Sequence, residues 1–363
     1  MKIALCGRFH TKRRFQGGSA EVFLALAKEL SKEHDITLFG RGEPTEDIKK
    51  MCSNYQMKYY WIPADSLLEI LVSPFTSFIL LLKKLTDEEI INTHTGCFAI
   101  SSLFFRNKRK IITNIHEVLV VKNRPPLEII NGYLENFMLF LGAKKSDLTI
   151  VPTNYIRNLI AQKGINNIKV IPNCVDTQFF KHKKNKEVNK IFKKNKLKLL
   201  FVGRLAKGKG ILELIAALNY IDDIKPQLLI IGVGELSSKI KEIERKNEKV
   251  KLIGLVKHEE LPKYYSAANL TILPSYSESF GLVPLESLSC STPVLVANNS
   301  GLKEIIDPKI GFFISKIEPK IIADSIRKVI DTRKHLKIQY RKYVVDNYSV
   351  ANAIEKYEIE YEN

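Results

Sequence analysis

The sequence predicts an α/β fold class with two Rossmann-like domains, each built on a doubly wound parallel sheet. The chain has 363 residues, more than one hydrophobic core usually covers. Short β-rich runs alternate with helical patterns along the chain, as is typical of parallel sheets covered by helices on both faces. The alternation stops at a lysine-rich stretch near residues 181–198 and then begins again. Two sheets are therefore predicted, one in each half.

Six short apolar runs in the first half predict strands, at 3–5, 36–39, 90–93, 111–115, 148–151 and 170–172. Apolar residues between the first two runs share one helical face, which predicts a crossover helix over 19–30. The second half repeats the pattern, with strands expected at 199–202, 228–231, 252–255, 270–273 and 294–296. In such sheets ligands bind beyond the carboxyl ends of the strands, so the expected site is the cleft between the two domains.

The predicted N-terminal domain covers residues 1–185, and the predicted C-terminal domain covers residues 197–345. Between them, residues 186–196 are rich in lysine and lack interleaved aromatic side chains that stack on bases, which favours an exposed basic linker. The last segment, 346–363, carries an apolar helical stripe at Val350, Ile354, Tyr357 and Tyr361. We expect this helix to pack back on the N-terminal domain.

The composition limits the cellular location, the kinds of cysteine site and the partners that can be expected for this protein. No run is long and apolar enough to span a bilayer, and Met1 leads straight into the strand-like KIALCG without an export signal, so a cytoplasmic protein is expected. The five cysteines lack the spacing of a zinc site or a redox pair and are expected to be free thiols. The net charge of +18 fits nucleic acid, an anionic membrane surface or a solvated basic face.

One segment bears on the membrane alternative. Residues 75–84 read FTSFILLLKK, and further cations follow at Arg106, Lys108, Arg109 and Lys110. Apolar and basic side chains together favour peripheral docking on the cytoplasmic face of an anionic membrane. The alternative is a core helix with a basic end.

A glycine-rich turn with cations lies between an apolar strand and a helix in the second half. Residues 203–210 read GRLAKGKG. Glycines allow the backbone to approach a ligand, amides at a helix N-terminus favour anions, and Arg204 and Lys209 supply positive charge. The segment lacks the spacing and the hydroxyl of a P-loop. It predicts a diphosphate site, and the alternative is a flexible turn with solubilising lysines.

A second turn, PSYSESFGLVPLE at 274–286, follows another apolar strand. Glu278 and Glu286 flank a glycine-containing turn, and a helix is expected to begin near Leu282. Carboxylates and turn amides suit a hydroxyl-rich ligand. The structural alternatives are a first-turn acidic residue for Glu278 and a solvated helix position for Glu286.

Together these segments resemble retaining glycosyltransferase family 4, the glycosyl transferases group 1 of GT-B fold. ESFGLVPLE is similar to that family's E-x7-E motif, and GRLAKGKG is similar to its donor-phosphate loop. QGGSAEVFLALAKEL, VIPNCVD and SLSCSTPVLVANNSGLKEII resemble further blocks in the family's order, so the resemblance spans nearly the whole chain. Ser287 and Ser291 stand where the family usually has alanine and glycine, and both are small enough to preserve packing.

The resemblance implies a metal-independent glycosyltransferase, with a hexosyl group expected, that uses a nucleotide-diphosphate sugar and needs no cofactor. Arg204 and Lys209 would hold the diphosphate, and Glu286 would accept from the ribose hydroxyls. Besides Glu278, the groups implied to bind the transferred sugar are those of the turn at Ser279, Phe280, Gly281 and Leu282. From the N-terminal acceptor domain, Gly17 and Gly18 would approach the diphosphate.

Two histidines end predicted strands of the N-terminal domain, His94 in INTHTG and His116 in NIHEV. A histidine there can hydrogen-bond a donor sugar or an acceptor at neutral pH. The resemblance places a histidine of a TNIHEV-like block over the reacting sugar, so His116 is the predicted catalytic histidine, beside Glu278, Arg204 and Lys209. For His94 the preferred interpretation is a satisfied structural residue.

The implied reaction passes through an oxocarbenium-like transition state, and a diphosphate oxygen takes the acceptor proton. The expected acceptor is a glycan or a lipid-linked molecule, and nucleic acid is not expected as a partner. The chain has no Asp-x-Asp, the metal-binding motif of GT-A transferases. Two alternatives stay open: a nucleotide-sugar epimerase or phosphorylase on the same fold, and a non-enzymatic basic protein that binds nucleotide or nucleic acid.

Overall fold

The computed structural model describes residues 1–9, 18–63, 67–117, 126–183, 185–192, 196–333 and 339–363, which form two compact units. The first unit joins Met1–Cys174 to the C-terminal segment Val350–Asn363, and the second unit is Val175–Ser349. Each unit contains one sheet in which neighbouring strands pair in parallel. The predicted α/β class with two parallel sheets is confirmed.

The strands of the first unit are β1 (Lys2–Arg8), β2 (Asp35–Arg41), β3 (Lys58–Ile62), β4 (Ile90–Thr93), β5 (Lys110–Asn114), β6 (Leu148–Val151) and β7 (Ile168–Val170). Its helices are α1 (Gly18–Leu30), α2 (Glu46–Asn54), α3 (Leu67–Lys84), α4 (Gly96–Ser102), α5 (Pro126–Lys145), α6 (Asn154–Ala161) and, near the end of the chain, α15 (Val350–Glu362). The sheet order is β3-β2-β1-β4-β5-β6-β7. The strand order therefore reverses between β1 and β4.

The strands of the second unit are β8 (Leu197–Val202), β9 (Pro226–Ile231), β10 (Val250–Gly254), β11 (Leu270–Leu273), β12 (Val294–Ala297) and β13 (Phe312–Ile314). Its helices are α7 (Lys186–Ile191), α8 (Ile211–Ala217), α9 (Ser237–Lys246), α10 (Leu261–Ala267), α11 (Leu282–Ser289), α12 (Leu302–Ile305), α13 (Pro319–Arg333) and α14 (Tyr340–Tyr348). The sheet order is β10-β9-β8-β11-β12-β13, so the reversal falls between β8 and β11.

Several inner strands of the two sheets are buried along their whole length, as the continuous apolar runs predict. Every residue of β4, β9 and β11 is buried. Two strands that the sequence did not predict, β3 and β13, each lie at one edge of their sheet. In β3 only Ile62 is buried, and Trp61 is exposed, so this strand lacks the apolar run that marks the others.

The segment predicted as a basic linker belongs instead to the second unit. Residues 186–191 form α7, and the side chain of Asn185 caps the helix by accepting a hydrogen bond from the Val188 amide at 2.9 Å. Val188 and Phe192 are buried in the core of this unit. The chain passes from one unit to the other after Cys174 and again after Ser349. The burial of Val188 and Phe192 thus packs this segment against the second unit, although the segment is rich in lysine.

A buried polar network joins α15 to the sheet of the first unit. The Tyr357 hydroxyl donates to Asn114 Oδ1 at 2.6 Å, and Asn92 Nδ2 donates to the Tyr361 hydroxyl at 2.6 Å. Asn114 Nδ2 donates to Asn92 Oδ1 and so connects the two pairs. Both asparagines are fully buried, so every bond in the network satisfies a polar group that has no access to water.

Asn92→Ala is expected to destabilise the first unit by about 1–3 kcal/mol, because it removes a buried hydrogen bond from Asn114 and another from Tyr361. The measurement is urea unfolding followed by the fluorescence of Trp61, the single tryptophan, which lies in the first unit. Asn54→Ala, at an exposed position of α2, is the matched control and should change the free energy of unfolding little. Equal effects of the two substitutions would contradict a structural role for the network.

Candidate functional site

Three loops of the second unit converge where neighbouring strands of its sheet end. They follow β8, β11 and β12. The amide of Tyr276 donates to the carbonyl of Gly208 at 3.0 Å and joins the first loop to the second. The side-chain amide of Asn299 donates to the Ser275 carbonyl at 3.0 Å and joins the second loop to the third. The glycine-rich segment and the glutamate-containing turn therefore form one surface at the carboxyl edge of the sheet.

Two glycines allow this convergence. Gly210 has φ +64°, and a Cβ at this position would lie 2.1 Å from the carbonyl oxygen of Pro274. Gly281 has φ +93° at the start of α11, and its Cβ would lie 2.7 Å from the side chain of Leu302. Both positions combine a left-handed backbone with a close neighbour, so other residues are strained there.

Lys209 and Glu278, predicted from separate motifs, form an ion pair. The hydroxyl of Ser275 donates to Glu278 Oε1 at 3.0 Å, and the Glu278 amide donates to Ser300 Oγ at 2.9 Å. Ser275 thus holds the carboxylate of Glu278, and Ser300, in the loop after β12, holds its backbone. Arg204 is exposed in the same loop as Lys209, and its side chain has no ion pair or hydrogen bond with the residues that the structure describes.

Glu286 is buried, so the interpretation of this residue as a solvated helix position is wrong. Its Oε2 accepts a hydrogen bond of 2.6 Å from the hydroxyl of Tyr265. Burial, and then the charge of Glu286, raise the pKa of Tyr265 well above its ordinary value, so the tyrosine stays protonated and continues to donate. Sequence reasoning missed Tyr265, because its partner lies on another helix.

The other predicted residues of the turn have distinct environments. Ser279 and Leu282 are half-buried, and Leu282 is the first residue of α11. Phe280 is buried against Tyr348, with ring centroids 6.0 Å apart. In the first unit, Gly18 is the exposed first residue of α1, and Gly17 lies outside the described residues.

The two histidines of the first unit form a direct pair. His94 Nδ1 lies 2.7 Å from His116 Nε2, and the rings stack with centroids 5.0 Å apart. His116 Nδ1 lies 2.9 Å from Oδ1 of Asn173. Both ring nitrogens of His116 are therefore engaged inside the protein. A small cavity beside the pair is lined by Arg8, Phe23, His94, Asn114, His116 and Glu135, among others.

Asn173 sets the tautomers of both rings. An amide oxygen only accepts, so His116 Nδ1 carries a proton and its Nε2 accepts from His94 Nδ1–H. His94 Nε2 then carries a lone pair. This atom is buried and has no hydrogen-bond partner within the described ranges. Burial lowers the pKa of His94 well below its ordinary value, with a smaller contribution from His116, and burial also lowers the pKa of His116. The pair is thus neutral at pH 7.

A buried ion pair stabilises the wall of this cavity. Arg41 Nη1 lies 2.7 Å from Glu135 Oε2, and Glu135 Oε1 accepts from the Gly96 amide at 3.0 Å. Burial alone would raise the pKa of Glu135, but Arg41, Arg8 and the Gly96 amide lower it overall. The carboxylate is therefore ionised at the first turn of α4, which begins two residues after His94. Arg41 and Glu135 lie outside every sequence segment noted above, and only the fold brings them together.

The structure thus brings together Arg204, Lys209 and Glu278 in one loop cluster, and His94 with His116 in another. Asn173 and Asn299 belong to sequence blocks already noted, but their bonds depend on the fold. Among the residues that the structure describes, no three His, Cys, Asp or Glu side chains are placed to share a metal ion.

Models of known protein families match both units of the chain. The family model described as Glycosyltransferase Family 4 matches residues 16–179, and the model described as Glycosyl transferases group 1 matches residues 182–345. An uncharacterized glycosyltransferase of Methanocaldococcus jannaschii is 32% identical over 164 residues, which cover 44% of this chain and 40% of that protein. The aligned part is therefore less than two thirds of that relative.

Solved structures match over the whole chain. Sucrose-phosphate synthase from Thermosynechococcus elongatus superimposes with a TM-score of 0.81 at 19% identity, covering 99% of this chain and 98% of that one. Anabaena HepE in complex with UDP-glucose gives a TM-score of 0.74 at 18% identity, covering 99% of both chains. At these identities the matches show the fold.

His94→Asn is expected to make the first unit less sensitive to acid. A histidine whose folded pKa is lowered contributes stability that is present above the unfolded pKa of about 6.5 and is lost as pH falls below it. Between about pH 7.5 and about pH 5.5 the variant should lose about 1 kcal/mol less than the parent chain. Trp61-monitored urea unfolding at both pH values measures this difference. His182→Asn, at an exposed histidine, should leave the pH dependence unchanged, and an identical pH profile for His94→Asn would contradict the neutral pair.

Proposed function

Because this chain belongs to the group 1 glycosyltransferases, we propose that it transfers a hexosyl group from a nucleotide-diphosphate sugar to a glycan or lipid-linked acceptor, with retention of anomeric configuration. The observation that carries the proposal is the loop cluster of the second unit, where exposed Arg204 shares a loop with the Lys209–Glu278 ion pair. Cations at this position suit a diphosphate, and a carboxylate suits sugar hydroxyls.

When the donor binds, Lys209 and Glu278 each exchange their mutual contact for a contact with the donor. Without ligand, the Lys209 ammonium and the Glu278 carboxylate neutralise each other. A donor offers phosphate oxygens to Lys209 and hydroxyl donors to Glu278, so neither partly buried charge is left without a partner. Ser275 and Ser300 hold Glu278 in place during the exchange, because their bonds do not involve Lys209. Arg204 adds a second cation to the diphosphate.

The nucleoside and the sugar meet further groups around the start of α11. Glu286 accepts from the ribose hydroxyls, and Tyr265 keeps its carboxylate oriented through the hydrogen bond of 2.6 Å. Backbone groups at Ser279, Phe280 and Gly281 bind the transferred sugar, and Leu282 lies beside them.

In the reaction, the bond between the anomeric carbon and the diphosphate oxygen breaks, and a bond to the acceptor oxygen forms on the same face of the sugar. The acceptor proton passes to an oxygen of the leaving diphosphate. Arg204 and Lys209 stabilise the negative charge that develops on the diphosphate, without reorganising. No metal ion and no cofactor take part in this scheme.

The histidine pair contributes a neutral hydrogen-bond acceptor. The outer nitrogen of His94 accepts from a hydroxyl of a sugar substrate, while His116 and Asn173 hold the ring through its inner nitrogen. A neutral imidazole suits an oxocarbenium-like transition state, because a cation near the reacting carbon would oppose its developing positive charge. His116, the histidine favoured by the sequence, then acts through His94 rather than directly.

Arg204→Ala is expected to weaken binding of the matching nucleoside diphosphate by about tenfold or more, because it removes a charge-assisted contact to the diphosphate. The measurement is a thermal-shift screen of UDP, GDP, ADP and their sugar conjugates, with UDP-glucose first, followed by calorimetric Kd values. UDP-glucose comes first because it occupies the Anabaena structure.

The matched control for this test is Arg245→Ala, at an exposed position of α9. It should leave both the unfolding temperature and the Kd unchanged. If no nucleoside diphosphate binds, or if both arginine variants bind like the parent chain, the assignment of the loop cluster as a donor site is wrong.

In a turnover assay with the donor so identified, proton NMR should show a product with the anomeric configuration of the donor, with no epimerised donor and no dependence on orthophosphate. His94→Asn keeps a donor for His116 but lacks the outer nitrogen, so kcat should fall by about tenfold. His94→Gln, which places an amide near the outer nitrogen, should restore part of the rate. An inverted product would refute retention, and an unchanged kcat in His94→Asn would refute the role of this histidine.

A further inference from the structure

Helix α3 of the first unit carries apolar side chains on its outward face as well as on its inward face. The inward face carries Leu81 together with Ser73 and Ser77, and all three are fully buried. Ser77 Oγ bonds to Ser101 Oγ of α4 at 2.6 Å, and Ser101 Oγ donates to the Pro74 carbonyl at 2.7 Å. The outward face carries Leu71, Phe75 and Leu82, spaced for one helical stripe and each more than half exposed. Surface helices of water-soluble domains normally present charged and polar residues on the outward face.

Helix α5 has a similar outward stripe. Its inward face packs on α4, where a Cβ at Gly142 would lie 2.6 Å from the side chain of Ala99. On the opposite side, Tyr133, Phe137 and Leu141 follow at intervals of four residues and are exposed, Phe137 by 64%. Because α4 packs against both α3 and α5, the two stripes belong to the same helical layer of the first unit.

A third apolar element extends this surface. Phe104, in the short turn after α4, is 72% exposed, and its ring lies 4.7 Å from that of Phe78 of α3. We define the apolar face as Leu71, Phe75, Leu82, Phe104, Tyr133, Phe137 and Leu141. Clustered apolar side chains of this kind mark an interaction surface, whereas single exposed ones need no explanation.

Basic residues border the apolar face. Each stripe ends in a pair of exposed lysines, Lys83 and Lys84 on α3, and Lys144 and Lys145 on α5. Lys83, Lys144 and Lys145 form no ion pair with any residue in the described part of the chain. The acidic residues after α3 are engaged elsewhere, since Asp87 pairs with the Lys2 ammonium and Glu89 accepts from the Lys2 amide.

We propose that the apolar face docks on a bilayer that contains anionic lipid, with its aromatic side chains in the interfacial region and the two lysine pairs on the lipid headgroups. Lysines at the ends of apolar stripes can lay their stems along the hydrocarbon boundary and reach the headgroups with their charges. A net charge of +18 adds attraction of the same sign. A second copy of this chain is a poorer occupant, because it would bring the same cations face to face.

This docking is peripheral. No helix in the described ranges is long and apolar enough to cross a membrane. The proposal does not depend on sugar transfer, and its test uses no donor or acceptor.

The test is co-sedimentation of the full chain with vesicles of phosphatidylcholine alone and of equimolar phosphatidylcholine and phosphatidylglycerol, over a series of salt concentrations. The chain should sediment with the anionic vesicles at low salt and stay in solution with the neutral ones. Phe75→Ser with Phe137→Ser, and separately Lys83→Glu with Lys84→Glu, should each lower the partition coefficient by about tenfold or more. The matched control, Tyr220→Ser with Leu255→Ser, replaces two exposed apolar residues of the second unit and should bind like the parent chain.

Three results would overturn the proposal: no binding to anionic vesicles at low salt, binding that persists in the Phe75/Phe137 variant, or equal loss in the control. Light scattering after size exclusion adds a fourth. A dimer that the Phe75/Phe137 substitutions dissociate, and that vesicles do not compete with, would assign the apolar face to a second copy. Trp61-monitored unfolding confirms that each variant is folded before its binding is compared.

Discussion

Parallel strand pairing is the constraint on which both candidate sites depend. It places the carboxyl end of every strand at one edge of its sheet, so loops far apart in the sequence must meet there. Lys209 follows β8 and Glu278 follows β11, and these strands are neighbours only because the strand order reverses between them. In the first unit, His94 follows β4 and His116 follows β5, and the two histidines meet because β4 and β5 pair directly.

Local sequence was sufficient to predict those parts of the fold and of the site that lie in continuous segments of the chain. Apolar runs located eleven strands, and the missed ones, β3 and β13, lie at sheet edges where half-burial removes the apolar signal. The cation-bearing loop and the glutamate turn were found because glycine and charge are concentrated in a few adjacent positions. Residues 186–191 were wrongly predicted as part of an exposed linker, because two buried apolar side chains among lysines do not form a recognisable apolar pattern.

Contacts between distant segments could not be predicted. His116 was favoured over His94 from its sequence block, but which ring presents a nitrogen to the cavity depends on Asn173, which lies 57 residues beyond His116. The face that α3 exposes likewise cannot be read from its sequence, because a run of leucine and phenylalanine fits both a docking surface and a core helix until the packing of α4 is known. The two units also differ in electrostatics. The second offers a partly exposed ion pair and a cation for a charged ligand, and the first offers neutral rings whose charge has been removed by burial.

The network that joins α15 to the first sheet connects residues that are synthesised at very different times. Asn114 and Tyr357 are 243 residues apart, and Asn92 and Tyr361 are 269 apart. The whole second unit is therefore synthesised before α15, the helix that hydrogen-bonds the buried asparagines of the first unit. During that interval the nascent first unit holds an incomplete core, with polar groups open to water or to a chaperone, while the second unit already has every segment of its own sheet. The segment that completes the first unit is thus synthesised after the whole of the second unit.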